Sequence, residues 1–209
     1  GETKPTITSS SFTIAPSTSS TITIAGTNFI SVPIVEAISS TGAITRATAV
    51  TFTSSTSINA TFSLTNGSYF LRVENNDGNA VRTSSAILSV SSAPSWTTSA
   101  GSLGTFSAGA TISGLNVVAT SDSNVTITEV TSPLTLTGNT DTPASTMNLN
   151  LSGTPGTTAT YTISGTAPAP TSETTYSFDL RATDVESQIA NRTFSITISV
   201  GADGSGGFN

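Results

Sequence analysis

Tyr176-Ser177-Phe178-Asp179-Leu180-Arg181-Ala182-Thr183 decides the fold class of this 209-residue chain. Tyr, Phe, Leu and Ala take one set of alternate positions, and Ser, Asp, Arg and Thr take the other. That is the pattern of a strand with one face buried and the other wetted. Phe194-Ser195-Ile196-Thr197-Ile198-Ser199-Val200 repeats it without error, as does Ile58-Asn59-Ala60-Thr61-Phe62-Ser63-Leu64. Tyr69-Phe70-Leu71-Arg72-Val73 follows it more loosely. No window of a dozen residues carries an apolar stripe at helical spacing, and the Thr, Val and Ile content suits a pleated surface better than a helix. The chain reads as all-β.

Turn residues set the spacing of the strands. Asn66-Gly67 precedes one strand, Asn76-Asp77-Gly78 closes a hairpin, and glycines recur between the remaining runs. Strands at intervals of roughly 8 to 12 residues read as a β-sandwich. A boundary fits at Ser91-Ser92-Ala93-Pro94, just after the strand Ala86-Ile87-Leu88-Ser89-Val90. The expected organisation is therefore two tandem immunoglobulin-like β-sandwiches, residues 1–92 and 93–200, each near the usual size of about 100 residues. A Gly-rich flexible tail, 201–209, would follow. An internal repeat supports two units. The Tyr69-led strand, the turn through Asp77 and the strand ending at Val90 parallel the Tyr176-led strand, the turn Asp184-Val185-Glu186 and the strand ending at Val200.

Composition removes whole classes of chemistry. The chain has no Cys and no His, so it offers no thiol nucleophile, no Ser-His-Asp relay, no zinc site of the usual kind and no disulfide. Charged residues make up 9% against about 25% in ordinary domains. Ser and Thr supply 78 of the 209 residues, and these hydroxyls must keep the surface wet. A net charge of −6 with only six scattered basic residues argues against nucleic acid, whose phosphates need clustered Lys and Arg. No stretch approaches the roughly 18 to 20 apolar residues of a membrane span. The opening Gly1-Glu2-Thr3-Lys4-Pro5 has neither an initiator Met nor an apolar signal core, so the chain reads as a processed product or a piece of a longer protein.

Residues 5–90 resemble the IPT/TIG immunoglobulin-like family. The likeness lies in Pro5-Thr6-Ile7-Thr8, in the strand and turn Thr21-Ile22-Thr23-Ile24-Ala25-Gly26-Thr27-Asn28-Phe29, and in Gly67-Ser68-Tyr69 with Val73-Glu74-Asn75 and Gly78. Residues 94–200 resemble the putative-Ig, cadherin-like repeats. That likeness rests on Pro94-Ser95-Trp96, Gly101-Ser102-Leu103-Gly104, Ile163-Ser164-Gly165-Thr166, Tyr176-Ser177-Phe178, Arg181-Ala182-Thr183-Asp184 and Arg192-Thr193-Phe194-Ser195-Ile196. Ser132 to Thr160 departs from the family's strand pattern, which leaves the strand order there open. Such repeats are common in virion structural proteins of tailed phages (cyanophage-like), and they also occur in bacterial surface proteins and as enzyme accessories.

The acidic turns are the best candidates for chemistry. Asp184 and Glu186, with Asp122 in Ala119-Thr120-Ser121-Asp122-Ser123, are candidate oxygen ligands for Ca²⁺, which takes six to eight oxygens. The cadherin-like resemblance implies calcium held between repeats. Set against this, there is no dense Asp-x-Asp-x-Asp run, and isolated acids in turns ordinarily accept backbone hydrogen bonds. No other cofactor is expected. Arg181 and Arg192 suit cross-strand ion pairs with Asp179 and Asp184. Trp96 is a candidate surface contact that could stack on a sugar, with the commoner alternative that it plugs the end of the sandwich. Paired carboxylates for glycoside hydrolysis need two acids facing each other across a cleft; compact sandwiches of this size have no deep cleft, and most of the acids fall in turns or on solvent faces, so the chain reads as non-enzymatic.

The resemblance implies a structural protein displayed on a tailed-phage virion, as fibre, neck or capsid decoration, that spaces other parts and adheres weakly and multivalently to the host surface. Its expected partners are other virion proteins and host-surface glycans, without nucleic acid or membrane insertion, and it would be multimeric through the parent particle. The alternatives are a stalk or adhesin segment of a secreted bacterial surface protein, and an accessory module of an extracellular glycosidase.

Overall fold

Alternation of apolar and polar residues becomes strand throughout. A computed structural model describes residues 3–130 and 147–201, and every regular element among them is a strand. The chain divides into two compact units, Gly1–Ser92 and Ala93–Asn209.

In the first unit one sheet runs in the order β1 (Thr6–Ile7), β3 (Ser20–Thr27), β7 (Ser57–Phe62), β6 (Ala49–Ser54). The facing sheet runs β2 (Phe12–Ile14), β10 (Leu88–Val90), β8 (Gly67–Glu74), β4 (Ile34–Ser39), β5 (Ile44–Arg46), with β9 (Ala80–Arg82) also paired to β8. Among the described residues of this unit, β2 and β10 are the one pair that runs in parallel. Two sheets with this strand order, the first strand divided between them, make an immunoglobulin-like sandwich. The core follows from the alternation. In β3, Ile22 and Ile24 are buried while Thr21 and Thr23 face out. Tyr69 is buried at the start of β8, and its hydroxyl donates to the Thr65 carbonyl at 2.8 Å, the tyrosine-corner contact of this fold. Between β9 and β10 the closing strand is interrupted, and Thr83 Oγ1 fills the gap by accepting the Leu71 N–H at 3.1 Å. On the outer face of β8, Arg72 donates to Glu36 at 2.9 Å and also to Glu74.

The second unit contains β11 (Ser95–Trp96), β12 (Gly101–Ser107), β13 (Thr111–Glu129), β14 (Asn150–Gly153), β15 (Gly156–Thr166), β16 (Thr174–Thr183) and β17 (Ile189–Ser199). Its long strand serves both layers. Residues 111–120 of β13 pair with β15, and Thr126–Glu129 pair with β16. One layer is thus β11, the first part of β13, β15 and β14; the other is β12, β17, β16 and the last part of β13. This is the order of the first unit, including the parallel pairing of an early strand, β12, with the closing strand β17. The stretch that the sequence leaves open resolves in part: β14 and the start of β15 fall within it. Residues 131–146 and the tail beyond Gly201 lie outside the described residues.

Outward positions are where the hydroxyls go. Residues directly opposite on neighbouring strands pair through them: Thr6 with Thr27 (2.7 Å), Thr21 with Thr61 (2.8 Å) and Thr175 with Thr197 (2.9 Å). Thr23 donates to Asn59 (2.8 Å) and Thr162 to Asn116 (2.8 Å) in the same way. Such cross-strand pairs contribute roughly 0.2 to 1 kcal/mol each, without charge.

Glu129 breaks the pattern. Val125 and Ile127 point inward and are buried, Thr126 and Thr128 are exposed, and the next inward position is Glu129. Its Oε1 is buried without a hydrogen-bond partner among the described residues, and desolvation raises its pKa from 4.5 to about 7. A carboxyl whose pKa is raised on folding favours the native state when protonated. The stability it allows is present below about pH 4.5, is lost as pH rises through about 7, and stays lost above that. Glu129→Gln is therefore expected to melt several degrees above the wild type at pH 8 and to match it at pH 4, by scanning calorimetry. A constant difference across that range would show that the carboxyl is solvated.

Candidate cation site

The change of layer in β13 builds one end of the second sandwich. Between Thr120, the last regular partner of β15 before the register shift, and Thr126, the first partner of β16, the chain crosses from sheet to sheet. Asp122 lies in that crossing. Thr126 pairs with Thr183, the last residue of β16, so the crossing lies beside the turn Asp184-Val185-Glu186-Ser187-Gln188 that leads into β17. One side-chain oxygen each of Asp122, Asp184 and Glu186 lies within 4.8 Å of the others. Asp122 is exposed, Glu186 half-buried and Asp184 buried at 6% exposure.

Local bonds fix the turn. Asp184 N–H donates to the Gln188 carbonyl (3.1 Å), Ser187 N–H to the Asp184 carbonyl (3.1 Å), and Gln188 N–H to Asp184 Oδ1 (2.8 Å). Ser123 Oγ donates to Glu186 Oε2 at 2.5 Å and Ser121 Oγ to Asp122 Oδ1 at 3.3 Å. Burial, and after it the charges of Glu186 and Asp122, push the Asp184 carboxyl above its ordinary range, against the opposing Gln188 N–H. All donors in the cluster are oxygens, which suits a hard cation such as Ca²⁺. The sequence names the three acids as residues of acidic turns and includes Ser123 in the stretch around Asp122, but gives Ser123 no role. It also misses Glu129, which the inward count from Val125 would have found.

The structure decides between the two readings of Trp96 in favour of the plug and corrects the reading of the arginines. Trp96 is not a surface contact: it is 8% exposed, its ring meets Phe194 edge-on at 5.3 Å, and its Nε1 donates to the Ala190 carbonyl at 3.0 Å. An indole with one edge bonded and one face packed has no open face for a sugar. The arginines bond to neutral acceptors rather than to the aspartates. Arg181 Nε donates to Asn191 Oδ1 (3.0 Å), Arg192 donates to the Thr98 carbonyl (2.7 Å), and Asp179 accepts from Thr193 (2.6 Å). In the first unit a cleft of about 330 Å³ is lined by hydroxyl and amide residues, among them Ser39, Thr41, Thr65, Asn66 and Tyr69.

No family model matches the chain, and no curated protein matches it. Solved structures do. An I-band fragment of titin is 12% identical over 96% of this chain and 67% of its own length, with a TM-score of 0.48. Extracellular domains 3–5 of Drosophila OTK are 12% identical over 95% of this chain and 60% of theirs (TM-score 0.49). The fibronectin(III)-like modules of Clostridium thermocellum CbhA are 14% identical over 98% and 99% (TM-score 0.35). These identities and scores tie the chain to no named family. The strand order shared by both units is what makes it a tandem of immunoglobulin-like sandwiches.

Proposed function

We propose that this chain is a non-enzymatic structural protein of a tailed-phage virion, displayed on the particle surface as fibre, neck or capsid decoration. The observation that carries this reading is the pairing of disulfide-free cores with outer faces that are rich in hydroxyls and sparse in charge. Each unit has its own apolar core, and the chain contains no Cys, so both sandwiches fold in a reducing cytoplasm where a virion is assembled and keep that fold outside the cell. Cross-strand Thr pairs keep the exposed faces soluble with few charges. The IPT/TIG and putative-Ig resemblances of the two halves point the same way.

Such a module works sterically and by number. It spaces the parts it joins, and many copies that each make a shallow contact raise avidity far above single-site affinity. The hydroxyl-lined cleft of the first unit is the place for host-surface glycans, since Ser, Thr and Asn donors match sugar hydroxyls. Its other partners are further virion proteins, through which it is multimeric.

Gold-labelled antibody against this chain, imaged on negatively stained purified particles, tests the assignment. Label is expected at regular positions on the virion. Bare virions would overturn it, and label on the bacterial envelope instead would make the chain a stalk segment of a secreted surface protein.

A further inference from the structure

Three of the chain's six basic residues share one line on the outer face of the first unit. Arg46 of β5 lies opposite Glu36 of β4, Glu36 opposite Arg72 of β8, and Arg72 opposite Arg82 of β9. Residues directly opposite on neighbouring strands point to the same side of a sheet. The four side chains therefore form a row across four strands, about 14 Å long at the usual strand spacing. The next row on that face is apolar, with Ile44 opposite Ile38 and Ile38 opposite Phe70. Ile38 is buried and Phe70 half-buried, but Ile44 on the edge strand is 61% exposed.

Charge is paired unevenly along the row. Glu36 and Glu74 both accept from Arg72, which leaves Arg46 and Arg82 without a carboxylate among the described residues. Arg82 instead lies over the Phe70 ring, 4.4 Å from its centroid, and both end arginines are exposed. Arginine beside aromatic and aliphatic side chains, without lysine, is the composition of a protein–protein contact. Its occupant must be anionic. A second copy of the same face does not fit, since each face has three arginines to two glutamates. The second unit does: the first unit contains four acidic and four basic residues and the second eight and two, so the whole net charge of −6 lies on the second. The second unit also has an apolar counterpart for Ile44. Val185, in the turn before β17, is 69% exposed, and Ile189, at the start of β17, is 51% exposed.

We propose that the arginine-lined face of the first unit binds the second unit of another copy of this chain, with Val185 and Ile189 packed against Ile44 and Phe70 and with Arg46 and Arg82 paired to acids of that unit. The two patches differ, so the contact is heterologous. A copy whose face is filled still presents its own Val185 and Ile189, and copies add head to tail. Exposed ion pairs are individually weak and are screened by salt, so each contact is weak and the assembly gains strength from number. This association is a property of the chain alone and holds whether or not the chain is carried on a virion.

Sedimentation velocity of the full chain, from about 10 µM to about 1 mM in about 0.05 M and about 0.5 M NaCl, reads the association. Species larger than a dimer are expected to grow with concentration at low salt, and the higher salt should weaken the association about tenfold or more. Arg46→Glu with Arg82→Glu removes the face, and Val185→Lys removes its counterpart. Each variant alone is expected to stay monomeric and to melt like the wild type, because the substituted side chains are exposed. Mixed, they should form one-to-one heterodimers and nothing larger, since each supplies the half that the other lacks. Ile44→Ser, which keeps both arginines, should weaken wild-type association about tenfold and serves if the arginine variant loses its fold. A wild type that is monomeric throughout would overturn the proposal, as would association that survives the arginine substitutions. Association that stops at a dimer, with no heterodimer on mixing, would overturn it in favour of face against face.

Discussion

Phe194→Ala is expected to destabilise the second unit by about 3 to 5 kcal/mol, the range for truncating a fully buried phenylalanine. Phe194 is 0% exposed. It lies in β17, between β12 and β16, with Gly101 and Phe178 as its partners in register. Its ring meets Trp96 edge-on at 70° and lies 6.3 Å from the Phe178 ring. Trp96 cannot swing into the space left behind, because its Nε1 is bonded to the Ala190 carbonyl, so the cavity persists. Against the roughly 5 to 15 kcal/mol that holds a domain of this size, the loss leaves the unit marginal. Urea unfolding followed by Trp96 fluorescence measures it directly. A loss below about 1 kcal/mol would mean that Phe194 is not at the centre of the core.

Gly26→Ala should cost the first unit about 3 kcal/mol, the upper end of ordinary overpacking. The reason is space. A Cβ on Gly26 would lie 2.0 Å from the Thr6 carbonyl oxygen and 2.4 Å from Phe29 Cζ. Thr6 belongs to β1, which pairs with β3 at this point, and Phe29 is buried at 2% exposure. Neither neighbour is the free end of a flexible side chain. The substitution must lift β1 from β3 or expel the Phe29 ring; either outcome should appear as a lower melting transition, and the lifting of β1 also as faster amide exchange at Thr8, whose N–H donates to the Ala25 carbonyl at 2.9 Å. An unchanged melting point would show that β1 does not pack there.

Period-two alternation made most of the architecture legible. β7, β8, β16 and β17 are long enough for apolar and polar residues to sort by face, and each was visible as a strand, while β3 was named through the family resemblance. Two- and three-residue strands such as β1, β2 and β11 are too short to show a period. β13 was hidden for another reason. Ser121-Asp122-Ser123-Asn124 reads as a polar turn, yet the chain stays extended there while it changes layers, so no single face is buried along its length. The three acids were legible as residue types in turns. Their convergence was not, because it depends on the pairing of Thr126 with Thr183, a register no local pattern encodes. Trp96 carried two readings, surface contact and plug, because an aromatic residue at the start of a domain looks the same in sequence whether it faces solvent or the core; the commoner one, the plug, is what the structure shows.

Two autonomous sandwiches, each held by its own apolar core without a disulfide, underlie every proposal made for this chain. Scanning calorimetry of the wild type, Gly26→Ala and Phe194→Ala in reducing buffer tests that directly. The predicted result is two transitions, of which Gly26→Ala lowers one and Phe194→Ala lowers only the other. A single transition moved by both substitutions would contradict it.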